Sequence, residues 1–269
     1  MIRVGIVGCG TIGTAVARTL ERRYGRVATI VGLTDTEPAH ARRLQHQLRR
    51  SPPLLPLSTL IRRSHLVIET ASAAIAARVA TLSLAAHRDV VIMSTGGLLT
   101  DQAWCRAARR SRGHLYVPSG ALGGVDAIKA MAVGTIRSLR LTTRKPPRAL
   151  AQAPGFTPTS GPRRRAPRVI FEGSPQEAIR LFPQNINVAA TMTLASRVLQ
   201  ARRVPTTVRI VADPTVRHNV HELEVESDAG RMVCRMESRP SVNPKTSEMA
   251  IRSAIATVAQ LFQPVRVGT

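Results

Sequence analysis

Three groups of residues in this chain have types and spacings suited to chemistry. Near the start, Gly8-x-Gly10-x-x-Gly13 follows the apolar, β-branched run Ile2 to Val7, and Ile12, Val16 and Leu20 then recur every fourth position. Strand, glycine turn and helix in that order form a seat for a dinucleotide pyrophosphate. Gly8 permits the tight turn, Gly10 lets a phosphate approach the backbone, and Gly13 lets the helix pack on the strand. The amides of Thr11 and Ile12 at the helix start face the phosphates, with the helix dipole assisting. The second group is Asp35, at the end of the next apolar run, Arg26 to Leu33. An acid there commonly bonds the adenosine ribose hydroxyls, which favours NAD and leaves NADP possible. A turn or helix-capping aspartate is the structural alternative. The third group is His218-Asn219-Val220-His221. Histidine exchanges protons near neutral pH. Strand parity puts His221 with Leu223 and Val225 on the apolar face, and His218 with Glu222 and Glu224 on the polar one. Opposite faces argue against a chelating pair, and an ordinary core histidine has the same pattern as His221.

The elements that must carry these residues alternate. After the second strand come a basic helix Pro38 to Arg50, a short amphipathic piece Leu57 to Arg63, and a strand His65 to Thr70. An alanine-rich helix through Ala86, a strand Asp89 to Ser94, a helix Asp101 to Arg112 and a strand His114 to Val117 follow. Such a βαβα series predicts a Rossmann-type parallel sheet over 1–118, with ligands outside the carboxyl ends of its strands. Glu69, Ala71, Ser72, Ser94 and Thr95 fall at those ends and are candidates for the cofactor rim. A second glycine-rich loop, Pro118 to Gly124, leads into a second α/β domain with a mixed sheet over 119–245. In it, Ser174 is placed to cap the helix Pro175 to Leu181, and another helix runs from Val188 to Leu199. Residues 148–168 form a proline- and arginine-rich loop. The final amphipathic helix, 246–263, is expected to pack back on the first domain.

Composition narrows the class. With 269 residues and 43% hydrophobic content the chain can build two ordinary globular cores. No apolar run is long enough to span a membrane, and the N-terminus is a strand rather than a signal peptide. Cys9, Cys105 and Cys234 are far apart and match no metal-ligand spacing. Free thiols in a reducing cytoplasm, and no metal, are the expectation. The formal charge is +23, and only three of 39 basic residues are lysines (Lys129, Lys145, Lys245), leaving 36 arginines. A polyanion-binding protein on a dinucleotide fold is therefore one rival reading. Against nucleic acid, the arginines are scattered in pairs on polar helix faces, and aromatic residues, at 3%, offer few stacking platforms.

The longer motifs are more specific than the glycine loop. PSGALGGVDAI (118–128), RKPP (144–147), FEGSPQEAIRLFPQNINVAAT (171–191), VADPTVRHNVHELEV (211–225) and NPKTS (243–247) are spread along the second domain. With them the chain resembles the L-aspartate dehydrogenase family over most of its length. The resemblance implies a dinucleotide domain followed by a catalytic and dimerisation domain, and hence a homodimer. It implies NAD(P)-dependent oxidation of L-aspartate to iminoaspartate, which feeds NAD biosynthesis or hydrolyses to oxaloacetate and ammonia. Carried over by position, the family's active-site histidine falls on His221, and its cofactor contacts fall on Ala121 and Asn187. Lys245, Lys129 and Arg144 are candidates to bind the substrate carboxylates. The enzymatic rival is a related reductase of dihydrodipicolinate-reductase or homoserine-dehydrogenase type. The loop 148–168 and the arginine excess depart from the family pattern.

Overall fold

The computed structural model describes residues 1–151, 166–182, 187–197, 204–243 and 246–268. Most of the loop 148–168, residues 184–186 and Lys245 thus lie outside the described residues. The chain divides into two compact units, Met1–Gly120 with Ala250–Arg266, and Ala121–Met249 with Val267–Thr269.

In the first unit β1 (Ile2–Val7), β2 (Ala28–Thr34), β3 (Leu66–Glu69), β4 (Asp89–Ile92) and β5 (Leu115–Tyr116) form one parallel sheet in the order β2-β1-β3-β4-β5. Val4, Ile6, Val67, Ile68, Val90 and Val91 are fully buried, as in a parallel sheet covered on both faces. The covering helices are α1 (Thr11–Tyr24), α2 (Pro38–Gln47), α3 (Leu57–Arg63), α4 (Ala73–Ala85), α5 (Gly96–Thr100) and α6 (Ala103–Arg110). Leu54 adds a single parallel bridge beside Leu33. It occupies the place of a third strand on that side, so the order is the usual dinucleotide-binding one with one strand cut to a bridge. The order reverses between β1 and β3, the position at which open α/β sheets bind ligands beyond the strand ends.

The expected helix Asp101 to Arg112 is α6, and a further short helix that the pattern did not show, α5, precedes it. Asp101 is extended, and its carboxylate accepts the Ala103 amide at 2.8 Å, which starts α6 afresh. The Trp104 indole N–H donates to the Leu98 carbonyl at 2.9 Å and fastens the two pieces together.

In the second unit β6 (Ile136–Lys145), β7 (Arg168–Gly173), β8 (Thr206–Ala212), β9 (Asn219–Ser227) and β10 (Gly230–Ser238) form a mixed sheet, β10-β9-β6-β8-β7. Only β6 and β8 run parallel; the other pairs are antiparallel. Its helices are α7 (Val125–Met131), α8 (Pro175–Leu181) and α9 (Asn187–Arg197). Ser174 caps α8 in a reciprocal box. Its hydroxyl accepts the Glu177 amide, and Glu177 accepts the Ser174 amide at 2.8 Å. Leu139, Leu141, Val208, Ile210, Leu223 and Val225 alternate onto one buried face of the sheet. The other face carries charge: Arg144 pairs with Glu222 and Asp213, Arg235 with Glu222, Arg231 with Glu224, and Arg209 with Glu172.

The last helix, α10 (Glu248–Gln260), belongs to the first unit from Ala250 onward. Ala254 and Val258 enter the same core as Val4, Ile6, Val16 and Leu20, and Phe262 stacks on Tyr24 with centroids 5.1 Å apart. Among the described residues, no helix is long and apolar enough to cross a membrane.

Candidate active site

The glycine loop joins β1 to α1 at the order reversal. Gly8 has φ +89°, and a Cβ on it would come within 2.6 Å of the Ala71 backbone. A Cβ on Gly13 would collide with the Gly8 carbonyl oxygen and approach the Thr70 hydroxyl to 2.7 Å. A Cβ on Gly10 would meet nothing within 4 Å. The first and last glycines are thus needed by the protein's own packing, whereas Gly10 borders open space. Gly10 is the N-cap of α1, makes no side-chain cap bond, and no acid lies in the first turn. The amides of Thr11, Ile12 and Gly13 have no acceptor within the helix. These features fit a bound pyrophosphate. Thr70 closes the loop from β3, its hydroxyl donating to the Gly8 carbonyl at 2.7 Å. The strand pattern alone did not single out Thr70; only the β1–β3 pairing brings it there.

Asp35 lies just past β2 with its side chain 10% exposed. One carboxylate oxygen accepts the Cys9 amide at 2.6 Å and the other the Glu37 amide at 2.8 Å. Asp35 therefore fills the turn role. Each carboxylate oxygen can accept a second bond, so tying the glycine loop leaves capacity for a ribose hydroxyl. Burial, and secondarily the Asp35 charge, push the Cys9 thiol up to about 12, so Cys9 is not a nucleophile.

At the ends of β3 and β4 the structure differs from the strand-end expectation. Glu69 is fully buried, not at the rim. Its carboxylate accepts the Ala71 amide at 2.8 Å, the Ser94 amide at 3.0 Å and the Ser94 hydroxyl at 2.8 Å. Burial raises its pKa, and these bonds, with one from Ser72, pull it partly back. Ala71 and Ser72 are exposed, with their backbone pinned from below. Ser94 and Thr95 are buried, and the Ser94 hydroxyl serves Glu69. The β3–β4 register, Glu69 beside Ile92, turns these groups inward toward each other.

In the second unit the centre is His221. Its strand partners are Thr143 on β6 and Met236 on β10. The Thr143 hydroxyl lies 3.1 Å from His221 Nδ1, and His221 is 5% exposed. Burial, then the nearby Lys145 charge, lower the His221 pKa to about 3, so the ring is neutral at neutral pH. A neutral imidazole keeps a lone pair on one nitrogen. His218 falls before β9 begins and is half-buried, so it shares no sheet face with His221. Ala121 is buried ahead of α7, and Asn187 is exposed as the first residue of α9.

The carboxylate candidates separate clearly. Arg144 points to the charged sheet face, 2.9 Å from Glu222 and 3.3 Å from Asp213. Lys129 is half-buried on α7. Lys145, which sequence reasoning passed over, is 5% exposed at the end of β6, on the face of Thr143 and His221. Burial lowers its pKa to about 8. Its signal was available as strand parity, since 143 and 145 must share a side.

Comparison with known proteins agrees with this geometry. A family model described as the C-terminal part of aspartate dehydrogenase matches residues 126–261. Another, described as the NAD-binding domain of homoserine dehydrogenase, matches residues 8–118. The L-aspartate dehydrogenase of Methanosarcina barkeri is 37% identical over 276 residues, covering 100% of each chain. That of Bradyrhizobium diazoefficiens is 37% identical over 270 residues, covering 100% of this chain and 94% of the relative. The crystal structure of aspartate dehydrogenase from Thermotoga maritima shares the fold, with a TM-score of 0.72 at 24% identity and full coverage of both chains. The architecture, the two family matches and full-length relatives at this identity agree: the chain belongs to the L-aspartate dehydrogenase family.

Proposed function

We propose that this protein is an NAD(P)-dependent L-aspartate dehydrogenase that oxidises L-aspartate to iminoaspartate, with Gly8 to Gly13, Asp35, Ala71 and Ser72 holding the cofactor and His221 acting as base. A nicotinamide dinucleotide supplies the hydride acceptor. The glycine loop and the α1 start bind its pyrophosphate, and Asp35 accepts from the adenosine ribose. A 2′-phosphate would meet the Asp35 carboxylate, so NAD is preferred. Glu69 fixes the Ala71–Ser72 backbone and thereby the rim of the cofactor site. Ala121 and Asn187 are assigned to the cofactor from the family pattern.

The observation that carries the reading is the neutral, buried His221 beside Thr143 in the segment matched by the aspartate dehydrogenase model. Aspartate arrives as an ammonium. Hydride leaves Cα only as the nitrogen loses a proton and forms a C=N bond. His221 takes that proton, and the substrate's negative charge favours the resulting imidazolium. In reductive amination the same nitrogen returns it. Iminoaspartate then hydrolyses to oxaloacetate and ammonia or passes to NAD biosynthesis. The family resemblance also supports a homodimer, and the free thiols Cys9, Cys105 and Cys234 accord with a reducing cytoplasm.

The test is NADH formation followed at 340 nm with aspartate, glutamate, homoserine and alanine in parallel. Strong preference for aspartate is expected. Preference for homoserine would overturn the proposal in favour of the homoserine-dehydrogenase type.

A further inference from the structure

We infer that the first unit carries a second anion site, at the far end of its sheet from the glycine loop, that takes a nucleotide polyphosphate. The inference stands apart from the aspartate reading.

The sequence scatters its arginines in pairs, and the fold brings two distant pairs to one place. A cleft of about 530 Å³ is lined by the end of α1, the start of β2 and the turn after α2. Arg22, Arg23 and Arg26 come to it from α1 and the loop that follows, Arg49 and Arg50 from the turn. Its apolar lining includes Leu20, Ala28 and Leu48, all buried. At 1.5 Å per residue along α1, Arg22 lies roughly 18 Å from Gly10. The turn is pinned against α1. The Ser51 amide donates to the Leu48 carbonyl at 3.2 Å, the Gln45 side chain to the Pro52 carbonyl at 3.0 Å, and the Arg50 amide to the Glu21 carboxylate at 3.4 Å. Ser51 has φ +40°, a left-handed conformation that is costly for a residue with a Cβ. That cost is met immediately after the arginine pair.

The charge balance leaves the cleft short of anions. Five arginines and one glutamate line it, a formal excess of four positive charges. Among the described residues no ion pair includes Glu21 or any of the five arginines. The Arg50 guanidinium reaches the Thr29 hydroxyl at 3.4 Å, a neutral partner. The carboxyl end of α1 adds only about half a negative charge. A ligand with about four negative charges therefore matches the cleft better than a single anion does. Guanidinium forks suit phosphate, whose oxygens they bind in pairs. The volume lies within the range of small-molecule sites, and the apolar lining suits a nucleobase while the arginines take the phosphates. Inorganic polyphosphate would engage the arginines and leave the apolar lining uncovered.

The test is calorimetric titration of ATP into the enzyme saturated with NADH, which fills the dinucleotide site, at about 0.15 M salt to screen the general field. Tripolyphosphate, adenosine and a single-stranded oligonucleotide are titrated in parallel. The cleft variant Arg23→Gln/Arg26→Gln/Arg49→Gln is compared with Arg106→Gln/Arg109→Gln/Arg110→Gln, which removes the same charge from α6. All six arginines are exposed, so both variants should melt like wild type. Arg26→Gln alone should act in the same direction as the cleft variant, with a smaller effect. ATP is expected to bind wild type once per chain, about 10-fold tighter than tripolyphosphate and far tighter than adenosine. The cleft variant should weaken it by about 30-fold, and the α6 variant should stay within about 2-fold. Equal weakening in both variants would overturn the inference, because the whole surface rather than the cleft would then hold the anion. Tripolyphosphate binding as tightly as ATP, an oligonucleotide binding more tightly, or no ATP binding at millimolar concentration would overturn it too.

Discussion

The glycine loop supports a prediction in which two chemically identical substitutions should fail in different ways. At Gly10 the backbone has φ −76° and ψ −158°, ordinary for any L residue, and an added methyl meets nothing within 4 Å. Alanine is a poorer N-cap than glycine by a few tenths of a kcal/mol or more, roughly offset by the lower chain entropy of the unfolded state. Gly10→Ala should therefore melt within about 2 °C of wild type. Its methyl, however, stands where a pyrophosphate must reach the α1 amides. Losing two charge-assisted bonds at about 1.5–3 kcal/mol each weakens NADH by about 100-fold or more. At Gly13 the methyl would strike the Gly8 carbonyl, a backbone atom that cannot swing aside. Overpacking of that kind costs about 1–3 kcal/mol, which lowers the melting temperature by roughly 2–12 °C for a protein of this size. Differential scanning fluorimetry reads stability and quenching titration with NADH reads affinity. Wild-type NADH affinity in Gly10→Ala, or wild-type melting in Gly13→Ala, would refute the assignment of one glycine to the ligand and the other to packing.

His221→Ala should lower kcat for aspartate oxidation by about 100-fold or more while NADH still binds, and His218→Ala should stay within a few-fold of wild type. The reverse order, measured in steady-state kinetics, moves the base to His218. Asp35→Ala should shift the NADP-to-NAD ratio of kcat/KM by about 10-fold toward NADP, because a carboxylate facing the 2′-phosphate is gone. An unchanged ratio removes Asp35 from the ribose. Stability should also report on His221. Unfolded, it titrates near 6.5; folded, near 3. Between these values the unfolded chain binds a proton that the native state refuses, so native stability falls as pH drops from about 6.5 toward 3 and is unaffected above that window. Denaturant titrations should show a smaller loss in His221→Gln, the gap to wild type reaching on the order of 3 kcal/mol. Parallel curves across this window would mean that His221 is not held neutral.

Local patterns decided much of the architecture. The capping box at Ser174 and Glu177, the start of α1 after Gly10 and the inward parity of His221 all follow from bonds or spacings within a few residues. Patterns failed where the partner is distant in the chain. The short helix α5 was not foreseen, because its place is set by α4, where the Ala73 carbonyl lies so close to Gly97 that a Cβ there would collide with it. Glu69 looked like an exposed strand-end acid, because nothing local reveals that Ser94 and Ala71 will saturate it. Lys145 was hidden among 39 basic residues, though its parity with Thr143 was legible.

By itself, then, the sequence determined the cofactor class, the α/β architecture and the family, since these depend on the order of residue types along the chain. Only the tertiary structure decided which polar groups are spent on the protein itself and which are left for ligands. Gly13, Glu69, Ser94 and Arg144 are engaged by packing or by partners far away in sequence, whereas Gly10 borders open space. The physical reason is that burial and charge act through space: a carboxylate or an ammonium takes its chemistry from what the fold places beside it.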